Sequence, residues 1–159
     1  MDVKSVSLRH RALDIALSYN GIKEEAGNRG KFVDDCLKLV GVPVGNAWCQ
    51  AFIYRVYNEA AIEFGVKNPV PKVGGVLNHW RQTKGVKLPK NTIPQSGDIA
   101  VYDHGKGLGH IAIVVSCKDG LLQTIEGNTS LNGSRNGDGV YILNRRRTDD
   151  KLLIGYIRY

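Results

Sequence analysis

Three cysteines and four histidines are the residues of this chain best suited to nucleophilic and acid–base chemistry. A thiol becomes a good nucleophile when a neighbouring base takes its proton, and an imidazole serves best when a carboxylate or amide fixes its second nitrogen. The cysteine number is odd and no CxxC pair occurs, so neither a disulfide framework nor a structural zinc site is expected. Buried thiols, a catalytic thiol, or both remain.

Cys36 lies on an apolar helical stripe with Phe32, Val33, Leu37 and Val40, which makes it a core residue. Cys117 shares strand parity with Ile111, Ile113 and Val115, so an unbroken strand would pack it on the bulkier face. Cys49, within GNAWCQAF (45–52), falls in the first turn of an expected helix capped by Asn46. Unpaired N–H groups and the positive end of the helix dipole favour a thiolate there, and could hold an oxyanion. Position alone leaves packing and chemistry both open.

Among the candidate bases, His10 sits between Arg9 and Arg11 on the first, amphipathic helix and is expected in solvent, and His104 lies in the loop DHGKGLG. His79, in a polar helical stretch, is expected at the surface. His110 opens the most apolar strand and shares a face with Ala112 and Val114, small residues that suit close packing against a helix. A histidine at a strand's first residue is held rigidly, yet a structural role is equally open to it. Glu126 ends a following strand, with Asn128 two residues beyond; either can hydrogen-bond an imidazole.

The elements that must position these residues fall into two halves. Helical periodicity marks residues 6–19, a helix from Asn28 to Val40, another from Asn46 to about Phe64, and a short one within 73–84. Turn chemistry at Pro94–Gly97 then introduces strands at 98–102, 109–116, 121–126, 139–144 and 152–159. Helices first and an antiparallel sheet second, without βαβ alternation, predict an α+β fold in one domain spanning 1–159.

The 159 residues carry 22 Lys+Arg against 15 Asp+Glu, a net charge of +7 and a pI near 9.4. Such a balance favours polyanionic partners or simply solubilises the surface. The run Arg145-Arg146-Arg147 has no aromatic ladder or zinc-finger spacing beside it, so nucleic acid is not expected as a partner. No apolar run is long enough for a membrane span, and the N-terminus has no apolar signal core. The expectation is a monomer made in the cytoplasm, reaching any external substrate by lysis or non-classical export.

Taken in order, AWCQAF, GDIAVYDHGKGLGHIAIVV and IEGNTS resemble the CHAP family, the cysteine- and histidine-dependent amidohydrolases/peptidases. EEAGNRG resembles the lead-in of peptidoglycan-directed members, and the likeness runs from about Glu24 to Tyr159. The resemblance implies a papain-like fold, with N-terminal helices on a C-terminal antiparallel sheet of five or six strands. It also implies Cys49 as nucleophile, His110 as base and then acid, Glu126 as orienter and Asn128 as a fourth polar position. The substrate implied is bacterial peptidoglycan, cut at the N-acetylmuramoyl-L-alanine amide or within its peptides. Trp48, Trp80 and Tyr102 are candidate groove-lining aromatics, each equally a candidate core residue. The segment NRGKFVDDC lacks the DxDxxG calcium pattern of some members, so no metal and no cofactor are expected. A basic wall-binding module that kept the fold without catalysis is the alternative.

Overall fold

The computed structural model describes residues 3–132 and 137–159, with side chains from Leu8 onward. Its elements are α1 (Val3–Ser18), α2 (Lys31–Leu39), α3 (Cys49–Phe64), α4 (Val76–Gln82), β1 (Val86–Pro89), β2 (Ile99–Gly105), β3 (Leu108–Lys118), β4 (Leu121–Thr129), β5 (Gly139–Arg147) and β6 (Leu153–Arg158). The strands form one antiparallel sheet in the order β1-β6-β2-β3-β4-β5. The architecture is α+β, as expected; the short edge strand β1 is an element the sequence pattern did not reveal.

α3 is the spine of the helical layer. Its buried Phe52, Ile53, Val56 and Tyr57 meet Ile99, Val101, Ile111, Ile113 and Ile125 from one sheet face in a common core. Each such side chain contributes roughly 1.5–3 kcal/mol by leaving water. Alternation sends Ala100, Tyr102, Ala112 and Val114 to the opposite face, where Leu122, Leu153 and Tyr156 complete a second cluster. The isoleucine face of β3 therefore carries the helices, reversing the expectation that the Ala112–Val114 face does so. Bulky β-branched side chains fill the groove beside α3 better than small ones.

Two further expectations are corrected. Between Val114 and Ser116 the β3–β4 register shifts, so Cys117 joins the second cluster rather than the isoleucine core. Neither asparagine caps a helix. Asn28 holds a left-handed backbone with φ of 53° and Gly30 precedes α2; Asn46 donates its amide to Pro43 O at 2.8 Å and Trp48 occupies the cap of α3.

Asp98 of the Gly-Asp pair is a structural anchor. It is fully buried, accepts a forked pair from Arg158 at 2.8 and 2.7 Å, and accepts the Gln95 N–H at 2.7 Å. Arg9 of α1 lies 3.7 Å away, so this one carboxylate links α1, β2 and β6 beneath the strand that pairs with β3.

Candidate active site

Cys49 is the first residue of α3. The first N–H groups of a helix have no intrahelical acceptor, so the thiol sits among free donors. What brings a base to it is the way the sheet opens. Pairing between β3 and β4 runs from Lys118↔Leu121 to Ile113↔Ile125 and ends there, leaving Gly109–Ala112 and Glu126–Asn128 unpaired with each other. α3 packs on both strands, and its first turn lies at this parting. Two glycines permit the approach. A Cβ on Gly127 would stand 2.7 Å from Phe52, and one on Gly109 would stand 2.8 Å from Tyr102 O and 3.1 Å from Val76 of α4.

His110 Nε2 lies 2.6 Å from Glu126 Oε1, and the Cys49 thiol stands close enough to the ring to act on its protonation. With Nε2 committed to the carboxylate, Nδ1 is the nitrogen left for the sulfur. Burial alone would push the imidazole pKa down; the neighbouring Cys49 and the bonded Glu126 carboxylate outweigh it and raise it to about 9.

Glu126 is fully buried, which by itself would raise its pKa. The bonds from His110 and Arg146, with their charges, instead hold the carboxyl well below the usual carboxylate range. Arg146 forks onto it through Nε to Oε2 at 3.0 Å and Nη2 to Oε1 at 2.7 Å. Thr124 Oγ1 donates to Oε2 at 2.5 Å. His110 thus stands between Cys49 and the Glu126 carboxylate.

Asn128 lies two residues beyond Glu126, near the end of β4. Asn128 adopts a left-handed backbone with φ of 52° where the β4–β5 register shifts between Glu126 and Thr129. Asparagine tolerates that conformation better than most residues. The Glu-Gly-Asn signal reads, in the structure, as an acid, a close approach and an irregularity within β4.

The aromatic expectations also divide. Trp48 is fully buried in the helical core and donates Nε1–H to Glu24 at 3.2 Å. Tyr102 is 1% exposed, within the second cluster. Neither can stack on a substrate. Trp80 is half-buried, with the Lys87 ammonium 5.2 Å from its ring centroid, and keeps some open surface.

Cys36 is fully buried, as its helical stripe implied. Burial pushes its thiol pKa up to about 11, against the opposing charge of Arg55, so it is a poor nucleophile. Among the described residues no cluster of three or more His, Cys, Asp or Glu side chains could hold a metal ion, and no helix is long and apolar enough to cross a membrane.

The sequence reading missed two residues. Arg146 is half-buried against Glu126 while Arg145 and Arg147 face outward, a strand alternation the charge run concealed. His79 is completely buried, not at the surface. Its Nδ1 lies 3.0 Å from Gln50 Oε1 and its Nε2 2.7 Å from Tyr159 Oη, tying α4 to the residue after Cys49. Val76, His79, Trp80 and Thr83 share one helical stripe, which was the available signal.

Burial holds the His79 pKa down to about 4. The unfolded chain binds this proton below about 6.5 while the folded chain does not, so stability rises with pH between about 4 and 6.5. Urea unfolding at pH 7 and pH 4.5 should show wild type losing about 2–3 kcal/mol more than His79→Gln on acidification. Equal losses would exclude His79 as the titrating group.

A helix-first cysteine beside an antiparallel sheet that supplies histidine and carboxylate defines a papain-like α+β protein. The CHAP domain profile matches residues 41–128, more than half the chain, and the chain belongs to the CHAP domain family. No curated protein matches it. Among solved structures it is similar to a Resuscitation Promoting Factor Interacting protein, RipA, mutated at one histidine. That match has a TM-score of 0.60 and 15% identity, covering 100% of this chain and 65% of that one. It is also similar to the peptidoglycan hydrolase RipB from Mycobacterium tuberculosis, with a TM-score of 0.59, 14% identity, and 100% and 67% coverage. A third is the P60 domain of an M. avium subspecies paratuberculosis antigen, with a TM-score of 0.55, 12% identity, and 98% and 96% coverage. At these identities the likeness is one of fold.

Proposed function

We propose that this chain is a peptidoglycan hydrolase that opens an amide bond through Cys49, with His110 as proton carrier and Glu126 holding its ring. The observation that carries this reading is His110, its Nε2 2.6 Å from Glu126, set beside Cys49 at the start of α3. Membership of the CHAP domain family and the fold shared with a peptidoglycan hydrolase support the substrate. The net charge of +7 suits an anionic wall.

His110 Nδ1 takes the thiol proton and the thiolate attacks the amide carbonyl carbon. The negative oxygen that forms is held by N–H groups of the first turn of α3. Collapse breaks the C–N bond as His110 returns the proton to the leaving nitrogen, leaving a thioester on Cys49. Water then attacks, its proton passes to His110, and the thiolate departs. Glu126 stays ionised throughout and stabilises the imidazolium. Peptidoglycan lies outside the cytoplasm, so the chain acts after lysis or export, in the manner of an endolysin or prophage product.

The bond is either the N-acetylmuramoyl-L-alanine amide or one within the stem or cross-bridge peptide. Incubation with defined muropeptides and mass spectrometry of the fragments tests both points. Sugar freed from intact peptide identifies an amidase, and cleaved peptide an endopeptidase. Unchanged muropeptides across a set containing both bond types would overturn the proposal.

A further inference from the structure

We propose that Arg146 is a positioning residue for the reaction, locking the Glu126 carboxylate so that one of its oxygens always faces His110. The inference rests on the proposed roles of Cys49 and His110. Arg146 is the inward member of an outward-facing basic run. Arg145 Nη1 and Nη2 bond the carbonyls of Leu131 and Ser130, and Arg147 pairs with Asp149 at 3.2 Å. Arg146 instead pairs across the sheet with Leu122, and the β4–β5 register slips between Leu122 and Thr124. That slip brings the guanidinium alongside Glu126.

Carboxylate geometry makes the contact specific. Oε1 accepts from His110 at 2.6 Å and from Arg146 Nη2 at 2.7 Å. Oε2 accepts from Arg146 Nε at 3.0 Å and from Thr124 at 2.5 Å. A planar fork on both oxygens fixes the carboxylate plane as a single ammonium cannot, and with it the direction from which His110 is held. The guanidinium carbon also lies 5.0 Å from the centroid of the Tyr102 ring, and Tyr102 is the cross-strand partner of His110. Arg146 thus grips the two residues that flank the imidazole.

The charged and titratable groups around Glu126 are His110 from β3, Arg146 from β5 and Tyr102 from β2. Cys49 of α3 acts through His110, and Asp150 bears on Arg146 and Tyr102. Together with His110, Arg146 holds Glu126 as an anion, and its guanidinium is the permanent cation of the two. Without it, Glu126 takes up a proton more readily as pH falls, and the pairing of thiolate with imidazolium fails at a higher pH.

The test follows the rate at which iodoacetamide alkylates Cys49 from pH 3 to 9, read at that residue by peptide mass spectrometry. Arg146→Met should move the acid limb up by about one pH unit, so that alkylation on the limb is about tenfold slower than in wild type. Arg147→Met should superimpose on wild type. A residue that only supports the fold would reduce the reactive fraction at every pH and leave the limb in place. An unmoved limb in Arg146→Met, or an equal shift in Arg147→Met, overturns the proposal. If Arg146→Met does not fold, Arg146→Gln, neutral but still a donor, carries the same expectation. Alkylation needs no wall substrate, so the two readings separate. A shifted limb in a chain inert on muropeptides would sink the hydrolase and keep this role, and an unmoved limb in an active chain would do the reverse.

Discussion

Cys49→Ala should reduce release of new amino groups from purified cell walls by roughly 10⁴-fold or more, the scale on which loss of a covalent nucleophile is felt. Cys36→Ala and Cys117→Ala should retain turnover. The contrast rests on surroundings rather than on thiol number. Cys49 opens α3 beside His110; Cys36 is sealed beside Arg55 with its pKa pushed up to about 11; Cys117 packs on the far cluster. Truncating Cys36 removes a fully buried sulfur, so that variant should lose about 1–2 kcal/mol of stability, and activity must be compared per folded molecule. A Cys49→Ala chain as active as wild type would remove the thiol from the chemistry altogether, and hydrolysis lost only in Cys36→Ala would relocate it.

What the sequence disclosed about these thiols depended on which physical signal was local. The stripe around Cys36 and the strand runs of the second half are periodicities, and the structure reproduces them because the side chains at those positions fill one core. Cys117 escaped because a single register slip reverses parity, and nothing in SCKDG announces a bulge. The Asn46 cap failed because a turn took its amide for Pro43 O. Cys49 and His110 were legible as types in suitable elements, but not the parting of β3 and β4 that lets them meet. That parting is a property of pairing between strands. Arg146 was hidden for a similar reason: three consecutive arginines look alike until alternation turns one of them inward. The buried His79–Gln50 contact spans two helices, and its polar neighbours Asn78 and Arg81 masked the inward stripe.

The remaining large effect concerns the ion at the centre of that buried arrangement. Glu126→Gln preserves the shape of the side chain but replaces one acceptor with a donor, at a site where His110, Arg146 and Thr124 all approach as donors. Thr124 can rotate to accept, but the Arg146 Nε–H cannot. The guanidinium loses its counter-ion while its side chain is only 20% exposed, and breaking such a pair costs about 3 kcal/mol. The pH dependence distinguishes this cause from simple misfit. Glu126 is more acidic in the folded chain than in the unfolded one. Its contribution is therefore complete above the unfolded carboxyl pKa of about 4.3, and is lost as pH falls from there toward the depressed folded value. Urea denaturation should show wild type about 3 kcal/mol more stable than Glu126→Gln at pH 7, with the gap narrowing at pH 3. A gap of constant size would mean that the carboxylate charge is not what stabilises the site. Catalysis should fall further than stability, by roughly 10³–10⁴-fold, because a neutral amide neither holds the ring in one tautomer nor stabilises the imidazolium. Glu126→Asp keeps the charge but shortens the reach to His110. It should therefore recover most of the stability and little of the rate, which separates the ion's hold on Arg146 from its hold on the base.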